Sequence, residues 1–338
     1  MPRTNPSRRH ILTASARWSA LALGLPPAAS AAHPPWRVGP GQALTRVADA
    51  LRLAGDGDTI EVLPGTYAGD VAVITQRRLT ILGLGSRPLF LADGQDAEGK
   101  AIWVVRNGDI RIENIGFRGA RVASGNGAGI RFERGRLQLL RCAFNDNQMG
   151  LLSGNDDSST LEITDCEFGD APVNPGSLPH LLYVGRIGRF SLHGSRLHHG
   201  HEGHLLKSRA RESVVIDNRL DDGLQGEASY EIDLPNGGIA WVEGNRLVQS
   251  PRTQNPVMLS FGAEGQPWPE SRLTLRDNCF VNHLASGASF VRVWADRLPA
   301  AAPVLSQGNR YLGPGLLELG PRGESVDDVR GPAPQFTA

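Results

Sequence analysis

Leu137-Gln138-Leu139-Leu140-Arg141-Cys142-Ala143-Phe144 sets a pattern that the rest of the chain repeats. It reads apolar, any, apolar, two residues, a small or polar anchor, any, then apolar. The pattern returns as Leu161-Glu162-Ile163-Thr164-Asp165-Cys166-Glu167-Phe168, as Ala240 to Leu247 and as Leu273 to Phe280. The anchors are Ile115, Cys142, Cys166, Ser195, Asn218, Asn245, Asn278 and, loosely, Asn309, spaced 27, 24, 29, 23, 27, 33 and 31 residues apart. Alternation of this kind means strands. Recurrence at such a period means a solenoid, whose coils bury their apolar edges only against one another. Coils of this length with two or three short strands make a parallel β-helix.

Stacking has consequences for the anchors. Asn218, Asn245 and Asn278 should form an asparagine ladder. Cys142 and Cys166 should lie in one column as packed, reduced core residues, although an oxidising compartment would permit a bond between them. With Cys279 they make an odd number, so at least one thiol stays unpaired within the chain.

A second strand follows each anchor strand. Leu182, Leu206, Ile232, Leu259 and Val291 share one parity and should face the core. Tyr183, Lys207, Asp233, Ser260 and Arg292 then form an outward column, about 4.8 Å apart. Arg209 and Glu231 share that face. A cleft here roofed by loops at 198–203 and 221–229 would favour catalysis, and an open, flat face would favour binding or scaffolding.

Lys207 stands out in this column. The chain has 35 basic residues, of which only Lys100 and Lys207 are lysine, leaving 33 arginines. Arginine keeps its proton in a protein, whereas lysine can release it when its surroundings demand. Six of the nine histidines also lie between 180 and 204. Among them His204 and His201 are candidates for proton transfer or sugar binding, and His180 stacks beneath His204. A stacked, hydrogen-bonded pair at the edge of the core is the alternative for His180 and His204. With Glu202, the histidines His198, His199, His201 and His204 could hold a metal. Their spacing is not the His-Glu-x-x-His of zinc hydrolases.

Charge is balanced, 35 basic against 35 acidic residues, with no basic run, so no nucleic-acid surface is expected. Ser7-Arg8-Arg9-His10, the apolar Ala20 to Leu25 and the small residues Ala29-Ser30-Ala31 look like a twin-arginine export signal over 1–32. The mature domain would then be 33–338, with coils over about 58–312 and a tail at 313–338, exported to the periplasm or secreted. No later segment is apolar and long enough to span a membrane. A monomer is expected.

Gly41 to Ala54 carries an amphipathic helical stretch (Leu44, Val47, Ala48, Leu51), followed by Gly55-Asp56-Gly57-Asp58-Thr59-Ile60-Glu61-Val62-Leu63-Pro64-Gly65-Thr66-Tyr67. This resembles the cap and first coil of the pectate-lyase-like proteins. The resemblance implies an all-β, single-domain, right-handed parallel β-helix with an N-terminal capping helix. A narrower resemblance is local. Glu202-Gly203-His204-Leu205-Leu206-Lys207-Ser208 is similar to the site of the chondroitinase-B and alginate-lyase family, where acidic residues bind calcium just before a Lys-Ser pair. By that resemblance Lys207 is the base and Glu202 a calcium ligand. The family's Arg-His-Gly segment is absent, and Tyr230-Glu231-Ile232-Asp233 stands in its place, so Arg209 or Arg292 would have to substitute.

The functional expectation is a polysaccharide-active protein, foremost a lyase cleaving a uronate-containing chain by β-elimination. Lys207, His204, Tyr183, Asp233 and Arg209 are the candidate catalytic residues. His180, His201, Glu231 and Arg292 are candidates for binding substrate. Asp233 and Glu231 as a carboxylate pair would suit a glycosidase instead. A non-catalytic β-helix that binds envelope glycans is the third reading.

Overall fold

The 137–144 type of repeat makes a corner. In the computed structural model, which describes residues 34–284, 287–300 and 302–334, the residue before each anchor is left-handed. Asn114, Arg141, Asp165, Asp217 and Asp277 have φ of 55°, 52°, 52°, 56° and 52°, and glycines occupy the equivalent positions 194, 244 and 308. Asn, Asp and Gly accept this conformation most readily. One such residue breaks strand alternation and sends the chain from one sheet into the next.

Among the described residues three parallel sheets result, of 12, 11 and 10 strands. Each coil passes through them in turn. Arg136–Leu140 lies in the first sheet, Ala143–Asn145 in the second and Met149–Ser153 in the third. Each pairs in parallel with the equivalent strands of the neighbouring coils. The fold is the expected right-handed parallel β-helix.

Its interior is a set of columns. Tyr67, Phe90, Phe117, Phe144 and Phe168 stack with centroids 4.8, 6.0, 5.2 and 4.6 Å apart. Leu197, Leu220 and Leu247 continue the column to Phe280 and Tyr311. Full burial of each such side chain contributes roughly 1.5–3 kcal/mol. The anchors form a second, hydrogen-bonded column. Each backbone N–H donates to the anchor side chain one coil on: Cys142 to Cys166 Sγ, Cys166 to Ser195 Oγ, Ser195 to Asn218 Oδ1, and so through Asn245, Asn278 and Asn309 to Asp328. All three cysteines are free.

The coils begin earlier and end later than the sequence suggested. Trp36–Val38 already pairs with Thr59–Val62. The expected tail instead supplies Leu316–Glu318, Gly323–Val326 and Val329–Gly331, which add a strand to each sheet. The reason is that Asp328 can replace an asparagine as the last acceptor of the ladder. A helix, Val47–Leu53, packs Val47, Ala50 and Leu51 against the first coil, and Asp70 accepts from the N–H groups of Val47 and Ala48 at its start. The export signal expected over 1–32 lies outside the described residues. Among the described residues no helix is long and apolar enough to cross a membrane.

Candidate functional site

Strand pairing sets the third-sheet column in the expected register. Tyr183 lies across from Lys207, Lys207 from Asp233, Asp233 from Ser260, and Ser260 from Arg292. The middle of the column is recessed, however, while Tyr183 and Arg292 at its ends are half-buried. Lys207 is 7 % exposed, Asp233 2 % and Ser260 0 %.

The cover explains this. Neither the 198–203 nor the 221–229 loop forms it. The loop after strand Val257–Phe261 folds back over the column and brings Glu264 onto Lys207. Trp268 anchors this loop: its indole N–H donates to Arg209 O at 3.0 Å, and the Arg186 guanidinium lies over the ring at 3.7 Å. Asn236 Nδ2 donates to Gly265 O at 2.7 Å.

Beneath the loop, charges alternate. Lys207 Nζ donates to Glu264 Oε1 at 2.6 Å and lies 3.3 Å from Asp233 Oδ2. Arg209 donates to three partners: Tyr183 Oη at 2.9 Å, Asn236 Oδ1 at 2.8 Å and Glu264 Oε2 at 2.5 Å. Partial burial alone would raise the Glu264 carboxyl pKa, but Lys207 and Arg209 outweigh it and hold the group below its ordinary value. Glu264 therefore closes the cluster as a carboxylate between two cations.

The two histidines sit at the other end. His204 N–H donates to His180 Nδ1 at 2.9 Å, and the rings meet edge to face at 4.5 Å. Burial, then Lys207 and Arg209, push the His180 pKa down to about 3. Burial, then His180 and Lys207, hold His204 well below its ordinary range. Both rings are neutral at pH 7. His204 Nδ1 lies 3.4 Å from Asp233 Oδ2 and makes no hydrogen bond. Burial pushes the Asp233 carboxyl up to about 6, against the opposing pull of Lys207.

Of the nine catalytic and binding candidates, Lys207 is joined by five that share contacts with it or its partners: Tyr183, Arg209, Asp233, His180 and His204. The others stand apart. Glu231, expected on a solvent face beside Asp233, is 1 % exposed, and neither carboxylate oxygen has a hydrogen-bond partner. Burial, with Asp222 nearby, raises its pKa well above the ordinary carboxylate range. The bend into strand Ile232–Leu234 encloses it, so it cannot pair with Asp233 across a sugar. His201 is tied to Glu227, with Nδ1 3.0 Å from Oε2. Arg292 lies across from Ser260 and stacks on Trp294 at 4.2 Å. Glu202 belongs to no cluster of three metal-ligating groups among the described residues.

Glu264 is the member of this cluster that sequence reasoning missed. It lies in a loop with no repeat signature. The only hint was that this inter-sheet connection, 262–271, is long where its equivalents at 209–211 and 235–238 are short.

No protein-family model matches the chain, and no curated protein matches it. Among solved structures it is similar to PfbA, a surface adhesin of Streptococcus pneumoniae, at 10 % identity over 85 % of this chain and 86 % of that one, with a TM-score of 0.48. It is also similar to the A-module of the mannuronan C-5 epimerase AlgE6 from Azotobacter vinelandii, at 12 % identity over 85 % and 94 % of the two chains, with a TM-score of 0.37. Likeness at this level carries no argument about function. The resemblance to the pectate-lyase-like proteins rests on the cap and first coil of the sequence.

Proposed function

We propose that this chain is an exported polysaccharide-active protein that binds a uronate carboxylate between Lys207 and Arg209 and cleaves the chain by β-elimination. The observation that carries the reading is the position of Glu264. Its carboxylate takes a hydrogen bond from each cation, as a substrate carboxylate would. Glu264 thus occupies a built carboxylate site from the 262–271 loop.

In this reading Lys207 changes role. With Asp233 and Glu264 as its ion partners, it screens charge and does not serve as the base. Screening the uronate carboxylate makes the neighbouring α-proton more acidic. Neutral His204, the ring beside Asp233, is the base of this reading and accepts that proton. The freed electron pair forms the carbon–carbon double bond, and the bond to the glycosidic oxygen breaks. Tyr183, whose oxygen accepts from Arg209, donates its proton to the leaving oxygen.

The test is a panel of acidic polysaccharides followed by ultraviolet absorbance of unsaturated product. The expected result is product with at least one uronate polymer, lost in Lys207→Ala. Reducing ends without unsaturation would replace the lyase with a hydrolase. Saturable binding of uronate chains without turnover would leave a glycan-binding protein.

A further inference from the structure

We propose that Asp170, His198 and His199 form a site for one divalent transition-metal ion of the zinc type. The site lies on the second sheet, outside the Lys207 cluster. It is the one group of three or more metal-ligating side chains that converges among the described residues.

The convergence comes from the backbone. Successive strand residues point to opposite faces, so adjacent histidines should not meet. His198 ends the strand Arg196–His198, and His199 follows it with φ 51°. That one left-handed residue brings both rings to the same side. Asp170, with φ 54°, follows Gly169, which lies across from His198 one coil away. Gly169 also makes room for the ligand: a Cβ there would stand 2.3 Å from the His198 ring.

The distances fit an ion. His198 Nδ1 and His199 Nδ1 are 3.1 Å apart, and His199 Nδ1 lies 3.0 Å from Asp170 Oδ1. His198 Nδ1 and Asp170 Oδ1 are 4.0 Å apart. Ligands about 2.1 Å from a tetrahedral zinc are about 3.4 Å from one another. The three atoms need only small adjustments.

Proton bookkeeping points the same way. His198 Nε2 lies 3.0 Å from Glu167 Oε1, an acceptor, so Nε2 carries the proton of a neutral ring and Nδ1 presents a lone pair. Asp170 presents a second lone pair to His199 Nδ1. One proton on His199 Nδ1 cannot point at both. A cation satisfies all three atoms at once. Glu167 then plays the outer partner that orients a metal-bound histidine. His199 and Asp170 are about half exposed and line a groove of about 570 Å³ with His201, Arg118 and Asp146. A fourth ligand, water or a groove-bound molecule, can enter from there. Two nitrogens and one carboxylate suit zinc and exclude calcium, which takes six or more oxygens.

The experiment is calorimetric titration of Zn²⁺ into untagged, chelator-stripped protein at neutral pH, with Co²⁺ visible absorption as a second readout. The expected result is one ion per chain and the intense absorption of tetrahedral Co²⁺. Glu167→Gln should weaken binding by roughly 10- to 100-fold, and His199→Ala or Asp170→Asn by more. His199→Ala and Asp170→Asn, at exposed positions, should leave the melting temperature of metal-free protein unchanged. Absence of one-to-one uptake would overturn the proposal, as would uptake indifferent to both His199→Ala and Asp170→Asn.

Discussion

Glu264 Oε1 lies 2.6 Å from Lys207 Nζ although 57 residues of chain separate them. The contact joins a loop to a strand two coils away. It places the chain's own carboxylate where the proposed substrate's would bind. Substrate and Glu264 then compete for the same two cations.

Competition sets the sign of the first prediction. Glu264→Gln keeps the shape of the side chain and removes its charge, while Asp233 still faces Lys207. Uronate oligomers should bind the variant more tightly, by about tenfold, the equivalent of one charge-assisted hydrogen bond at the low end of its range. Glu264 is 42 % exposed, so its removal should cost stability only about 1 kcal/mol or less. Titration calorimetry with oligouronates checks this. Weaker binding would mean that Glu264 contacts the ligand and does not compete with it.

Lys207→Met should behave differently. It leaves Asp233 buried without its cation, and breaking one side of a buried pair costs about 3–5 kcal/mol. The double variant Lys207→Met with Asp233→Asn removes the orphaned charge and should recover most of the loss. Urea denaturation of the three proteins measures the coupling. A single variant as stable as the parent would mean that Asp233 is already protonated in the native state at that pH.

The column itself was legible because side-chain alternation fixes which residues share a face. Tyr183, Lys207 and Asp233 follow from the inward leucines alone, and the observed pairing agrees. Burial was not legible, since the cover comes from the 262–271 loop, which the repeat does not encode. His198 and His199 show another limit. Alternation puts them on opposite faces, and only the left-handed φ at His199 reverses that. Glu231 failed for a third reason: it precedes its strand, in a bend where alternation no longer sets which way a side chain faces. The last coil went unread because Asp328 closes the ladder where the pattern asked for asparagine.

The ladder can be tested without reference to function. Asn245 Oδ1 accepts from the N–H and the side-chain amide of Asn218, and its own Nδ2 donates to Val215 O and Asn278 Oδ1. Asn245→Ala strands several buried polar groups, each costing about 1–3 kcal/mol when unsatisfied. A loss of about 3 kcal/mol or more is expected in urea denaturation. Asn245→Ser should lose less, since Ser195 Oγ already accepts the Cys166 N–H at 3.0 Å in the same column. Equal losses for the two variants would mean that side-chain volume, and not the backbone acceptor, stabilises the coil.

Asp233 supplies the pH dependence. Lys207, His204, Glu264 and Tyr230 are the titratable groups that act on it. Its folded pKa, raised by burial to about 6 from an ordinary 3.8, lies above the unfolded value. Between those two values the native state holds a proton that the unfolded chain has lost. The contribution of this group to stability is therefore full below the unfolded pKa and declines as pH rises through about 6. From pH 5 to pH 7 the loss amounts to about 1 kcal/mol. His180 and His204 act in the opposite sense, because their pKa values are depressed in the folded protein. Their share is nearly common to the parent and Asp233→Asn, so the difference between the two proteins isolates Asp233. Asp233→Asn should gain on the parent by about 1 kcal/mol between pH 5 and pH 7 in urea denaturation. A constant difference across that range would mean that Asp233 is ionised throughout, with Lys207 overcoming the cost of burial.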